Sequence, residues 1–344
     1  MSLVSYGLLV AATLTIGQAT DRPPERFEFT QIQMGMPFKI VVYAPGEDSA
    51  NAAARAAYAR IRELNGIMSD YDPESELMRL CRTAGSGKAI PVSRDLLAVL
   101  SRAQHLSEQS EGAFDVSVGP IVRLWRRARK TGEFPTPEQV AAARKVVGYQ
   151  LIRIDKEAGT VELLKTGMQL DLGGIGAGYA VDDALKVLAQ EGIKSALVDA
   201  SGDIGVSDPP PGKPGWRIGV APLEPEAEPS RYLILKNAAV TTSGDAFQFV
   251  EFEGKRYSHI VDPKTGLGLT ERSSVTVIAR DCTTADSCTK AVMILGPEKG
   301  FPLIEATKGA AAIIVRAPHG TVETFVSKRL TDYEVSGERQ ESTR

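Results

Sequence analysis

Apolar residues recur every three or four positions between Ala50 and Met68, where Ala57, Ile61, Leu64 and Met68 share one side of a helix. A β-rich run, Phe38–Tyr43, precedes it and ends at Pro45–Gly46. The same helical period from Ser93 to Glu108 turns Leu96, Leu100, Ala103 and Leu106 inward and predicts a second helix. Thr136–Pro137–Glu138–Gln139 reads as a helix start: a threonine cap, proline at the first helical position, and glutamine three residues after the cap. A fourth helix is predicted to begin near Gly178, run through Val181, Leu185 and Leu188, and stop at Gly192. Strands are predicted at Leu151–Ile154, Val161–Leu164, Ser195–Asp199, Trp216–Val220, Phe247–Phe252, Ser274–Ala279 and Ala311–Val315. Hairpins interspersed with helical crossovers favour an α+β fold, mixed β-sheets with packed helices, over a regular parallel alternation.

The 344 residues suffice for one large domain or two modest ones, and 43% hydrophobic with 24% charged residues supply an ample core. A formal net charge of −3 leaves no nucleic-acid footprint. The basic run Arg123–Leu124–Trp125–Arg126–Arg127–Ala128–Arg129–Lys130 is a local exception, read as a solvated or partner-facing helix. Cys81, Cys282 and Cys288 are too few and too scattered for a disulfide scaffold or structural zinc, although one pair could bridge in an oxidising compartment. Leu8–Ile16, followed by Gly17–Gln18–Ala19–Thr20–Asp21, resembles a secretory signal, so residues 1–25 are expected to be an export signal or a disordered start. The run is too short for a clear membrane span. Residues 331–344 form a polar tail expected to fray.

Candidate chemistry begins at Asp171–Leu172–Gly173–Gly174–Ile175–Gly176–Ala177–Gly178–Tyr179, read as a strand end, a glycine-rich turn and a helix start. Glycine there admits positive φ and lets a diphosphate approach backbone N–H groups, which a helix N-terminus reinforces. The spacing is not the Gly-x-Gly-x-x-Gly of a dinucleotide sheet, and the same composition also suits a tight connection between packed elements. Gly202–Asp203 and Thr242–Ser243–Gly244–Asp245 read as two further polar turns. With Asp171 they offer carboxylates, hydroxyls and flexible backbone for a nucleotide–metal complex. His259, one of three histidines, sits in Tyr257–Ser258–His259–Ile260–Val261–Asp262–Pro263–Lys264–Thr265–Gly266. Its imidazole could take a hydroxyl proton or bond to phosphate. His105 and His319 read as surface or packing residues.

These segments follow Met34–Gly35, Met68–Ser69–Asp70–Tyr71–Asp72–Pro73–Glu74–Ser75–Glu76–Leu77, Gly112–Ala113–Phe114–Asp115–Val116–Ser117–Val118–Gly119–Pro120 and Leu124–Trp125, and precede Ala285–Asp286. In that order they resemble the FAD:protein FMN transferases, the ApbE-like flavin transferases, from Met34 to about Gly296. The resemblance implies a catalytic domain over 29–330. Its expected reaction moves FMN from FAD to a Thr or Ser hydroxyl of an acceptor protein, releasing AMP with the help of Mg²⁺. The implied acceptor is a flavoprotein subunit of a redox complex, near a membrane, and the implied location is exported: periplasmic or membrane-associated in a bacterium. The FAD contacts so implied are Met34, Tyr71, Glu76, Asp115, Asp171, Gly173, Gly174, Gly178, Ser243, Gly244 and His259. His259 and Asp286 are expected to be catalytic, with the metal on Asp286, a backbone oxygen near Ala177, and Thr289.

Two positions depart from the family's pattern. Its usual lysine is Ala177 here, and the threonine expected four residues after Asp286 is Lys290. An i,i+4 spacing puts Lys290 beside Asp286. Lys290 then turns outward while Thr289 or water completes a metal shell, or its ammonium partly replaces the metal, or transfer is lost. Retained metal-assisted transfer is the expectation. The rivals are a scaffold that holds FAD without releasing AMP and an electron-transfer flavoprotein, the latter lacking any redox cysteine pair, haem motif or iron–sulfur spacing.

Overall fold

Alternate side chains of one strand, Met36–Ala44, serve two different cores, and that division organises the molecule. A computed structural model describes residues 23–220, 223, 228–229, 231–244 and 249–335. The export-signal run, Asp245 and all but the first residues of the polar tail lie outside the described residues.

Eight strands form the main sheet: β1 (Glu25–Gln33), β2 (Met36–Ala44), β3 (Ser195–Ala200), β4 (Asp203–Val206), β5 (Ala238–Gly244), β6 (Ser273–Ala279), β7 (Ala311–Arg316) and β8 (Glu323–Val326). Their order in the sheet is their order in the chain, and each neighbouring pair is antiparallel. Six helices are inserted between β2 and β3: α1 (Glu47–Met68), α2 (Glu76–Cys81), α3 (Arg94–Gln109), α4 (Gly119–Thr131), α5 (Pro137–Arg144) and α6 (Gly176–Gln190). A seventh, α7 (Cys282–Ala306), joins β6 to β7 and kinks at Gly296.

Because strand side chains alternate between faces, Phe38, Ile40, Val42 and Ala44 of β2 pack with Ile61 and Leu64 of α1, Val181 and Leu188 of α6, and Val292 of α7. Val41 points the other way, into a second core with Leu197, Val206, Trp216, Ile218 and Leu233. That face is covered by a small antiparallel sheet of Trp216–Gly219, Tyr232–Leu235 and Glu334–Val335. The architecture is α+β, as expected.

The stripe residues of α1 and α3 are buried, Ser93 caps α3, and both halves of the Thr136–Gln139 capping box are present at 3.3 and 2.9 Å. Four readings need correction. β1 escaped prediction because it is the sheet edge, with most of its side chains in solvent. Thr242–Gly244 is the end of β5, not a turn; the hydroxyls that suggested a turn reach Thr276 and Thr289 instead, at 2.8 and 2.7 Å. Asp171–Leu172 ends no strand, and α6 begins at Gly176, so Gly176, Ala177 and Gly178 are its first turn. All three cysteines are free and buried. Among the described residues no helix is long and apolar enough to cross a membrane.

Candidate active site

Segments remote in sequence converge at the N-terminus of α6. They are the Met34–Gly35 turn, the end of α1 with Ser69–Asp70–Tyr71, the loop before α4, the glycine-rich turn, and the stretch after His259. Together they line a cavity of about 810 Å³, within the ~300–1,000 Å³ usual for small-molecule sites. Met34, Met68, Phe114, Val122, Ile260 and Ile294 form apolar wall, while Asp70, Asp115, Asp171, Arg126, Arg129, His259 and Lys290 bring charge and hydrogen-bonding capacity. The Met34–Gly35 turn is a two-residue hairpin loop with φ of 50° and 78°. Glycine suits such a turn; methionine in the left-handed region carries strain of order 1 kcal/mol, and here it sets Met34 against the cavity.

One face of α4 was misread. Ile121, Trp125 and Ala128 are buried, and that orientation carries Arg126 and Arg129 to the cavity rather than to bulk solvent. Arg126 bonds to Asp70, reaches Asp171 Oδ2 at 2.7 Å, and lies 4.5 Å over the ring of Tyr71. Asp171 accepts the Gly173 N–H on its other oxygen at 2.8 Å. Burial pushes the Asp171 carboxyl above its usual range, with Arg126 opposing. Tyr71 stays 77% exposed, with the Arg126 guanidinium over its ring. The buried Trp125 next door was the available signal for Arg126: it fixes which arginine of the run can turn inward.

Several of the expected flavin contacts are engaged by the framework. Asp115 lines the cavity, but its carboxylate accepts the Ser117 N–H (2.8 Å), the Ser117 hydroxyl (2.7 Å) and the Tyr149 N–H (2.8 Å), which fastens its own loop. Its pKa is raised by burial and held back by those bonds. Glu76 accepts the N–H of Ser93 at the start of α3 and is not part of the cavity wall. Neither are Gly178, Ser243 and Gly244. A side chain at Gly178 would begin 2.5 Å from the Cys282 carbonyl oxygen and 2.9 Å from Asp286 Cβ, so glycine there lets α6 lie against α7. Gly178→Ala is expected to cost about 1–3 kcal/mol by overpacking. Urea unfolding of the flavin-free protein checks this, and an unmoved midpoint would contradict the packing role.

Below the glycine-rich turn lies a second polar group. Asp286 is fully buried; it pairs with the Lys290 ammonium through Oδ1 and accepts the Gly178 N–H through Oδ2 at 3.2 Å. Thr289 turns aside, donating to the Asp286 backbone oxygen at 2.7 Å and meeting the Ser243 hydroxyl. Lys290 reaches past them to the cavity. Burial works against its charge, but Asp286 and Asp203 outweigh burial and keep the ammonium protonated above the usual lysine range. Asp203, at the start of β4, is pushed up to about 7 by burial and then by Asp286, against the pull of Lys290. The folded chain therefore binds this proton more tightly than the unfolded one. Its stabilising effect is complete below the ordinary value of 3.8 and is lost as pH rises through about 7. Asp203→Asn is expected to flatten the fall in melting temperature over that window; an unchanged slope would exclude Asp203 as its source.

The model of the ApbE family matches residues 34–314. An FAD:protein FMN transferase of Haemophilus influenzae is 32% identical over 342 residues, covering 96% of this chain and 98% of that protein. One of Vibrio cholerae is 30% identical over 321 residues, covering 92% and 95%. The solved flavin transferase ApbE from Vibrio cholerae shares the fold with a TM-score of 0.82 at 28% identity, over 90% of this chain and all of that one.

Proposed function

This chain belongs to the ApbE family, and we propose on that footing that it transfers FMN from FAD to a Thr or Ser hydroxyl of an acceptor protein, releasing AMP. One observation supports the reading most: Asp171, the glycine turn, His259 and three cationic side chains border a single cavity although they are far apart in sequence. The N-terminus of α6 and the backbone at Gly173–Gly174 suit the diphosphate. Arg126, Arg129 and Lys290 supply positive potential around it.

In the transfer, the acceptor hydroxyl oxygen attacks the FMN-side phosphorus. The bond from that phosphorus to the bridging oxygen breaks, and the bridging oxygen departs on AMP with the electron pair. His259 takes the hydroxyl proton. The protein's larger contribution is to hold phosphorus and alcohol in line and to meet developing charge with fixed dipoles and cations. The acceptor in this reading is a flavin-carrying subunit of a redox complex near a membrane, and the chain reaches it by export through its Leu8–Ile16 run.

The magnesium ion implied by the resemblance does not suit the donors around Asp286. One carboxylate oxygen holds the Lys290 ammonium, the other an N–H, and the Thr289 hydroxyl is turned to Ser243. Among the described residues no three His, Cys, Asp or Glu side chains are grouped to hold a metal.

Incubation with FAD and an acceptor bearing an exposed threonine in a flavinylation motif, followed by intact-mass measurement, tests the transfer. FMN attached to the acceptor with equal AMP is the expected result. Retained FAD with neither product would leave a binding scaffold.

A further inference from the structure

The ammonium of Lys290 is built into the floor of the cavity in three ways. Asp286, fully buried, anchors it from four residues earlier on α7. Gly174 leaves room above its stem: a Cβ there would stand 3.4 Å from Lys290 Cγ and 3.3 Å from Phe114. Only 20% of the side chain is exposed, yet it borders the cavity beside the glycine turn. A surface lysine swings freely; this one is clamped by an ion pair below and by backbone above.

We propose that the Lys290 ammonium is the resident cation for the FAD diphosphate, occupying the place in which a divalent metal ion would otherwise act, so that transfer needs no added metal. The inference rests on the flavin-transferase reading. Its physical basis is the competition at Asp286. A divalent ion needs that carboxylate free, whereas here the carboxylate already neutralises a fixed positive charge. A metal binding beside it would meet like-charge repulsion, and among the described residues no three His, Cys, Asp or Glu side chains are grouped to hold it. The ammonium offers up to three donors to acceptor oxygens. With one directed to Asp286, the others remain for phosphate oxygens and for charge developing on the departing AMP.

Equilibrium binding of FAD, followed by flavin fluorescence, and AMP release are measured with EDTA or with Mg²⁺. For the wild-type chain both are expected to agree within about twofold between the two buffers. A double variant, Asp286→Asn with Lys290→Met, keeps both shapes and removes both charges; it is expected to bind FAD about 10- to 100-fold more weakly, with its melting temperature confirming that it folds. Lys290→Thr frees Asp286 and is expected to make FAD binding depend on Mg²⁺. Wild-type binding that collapses in EDTA and returns with Mg²⁺ overturns the inference and leaves the transferase reading intact. So does a double variant that folds and binds FAD with unchanged affinity. Metal-independent binding that weakens in the double variant, with no AMP released by any form, overturns the transferase reading and leaves the cation assignment standing. A wild-type chain that does not bind FAD overturns both.

Discussion

His259→Ala is expected to slow FMN transfer about 10²–10⁴-fold, the range for losing a positioned acid–base group, with FAD still binding. His259 follows the hairpin strand Lys255–Ser258, half-buried between the buried Ser258 and Ile260, and it borders the cavity. Of the other histidines, His105 is exposed on α3. The loss should fall on kcat, since proton removal from the acceptor hydroxyl is needed only as the new P–O bond forms. Weakened FAD binding at unchanged kcat would assign His259 to holding phosphate instead, the alternative that its sequence context left open.

Arg126→Ala is expected to be the most damaging single change for stability outside the hydrophobic core. It strips Asp70 and the buried Asp171 of their shared cation at once. Removing one partner of a buried pair costs about 3–5 kcal/mol; Arg126 keeps 23% of its side chain in solvent, which puts the expected loss near the lower figure. Lysine should not rescue it, because one ammonium cannot span two carboxylates and stack on Tyr71 as a guanidinium does. Asp171→Asn in the alanine background should recover part of the loss, because the amide removes the uncompensated charge. Urea midpoints of the two single variants and the double variant measure both effects. Strictly additive losses would mean that Arg126 and Asp171 do not act on each other.

Elements with a strong period and a local cap were readable in advance. α1, α3 and α5 carry their own boundaries in Ser93, the Thr136–Gln139 box and the apolar stripes. β1 was not readable, because an edge strand need not alternate sharply when one long side faces water. In the site, the glycine-rich and His259 segments together with the family resemblance picked out Met34, Tyr71, Asp171, Gly173, Gly174 and His259, and all of them border the cavity. The same signals also raised Glu76, Gly178 and Ser243, which serve a helix start and helix contacts, and Gly244, which packs against Ser273 and Ser274 of β6. Arg126 was lost in a basic run, since linear sequence does not say which side of α4 the core will claim. The i,i+4 spacing already put Lys290 beside Asp286; that the pair lies beneath Gly174 at the cavity is decided by packing to which distant segments contribute.

β2 and β3 lie side by side in the sheet although the whole of residues 45–194 separates them. The entropic cost of closing so large a loop rises only logarithmically with its length, yet none of it is recovered until the strands meet. Refolding from denaturant should therefore be gated by this one zippering event, with the β1–β2 ribbon waiting beside an open edge. A weakened α6, which rests on β3 and β4, would lengthen the wait and leave the unpaired edge of β2 available to a neighbouring chain.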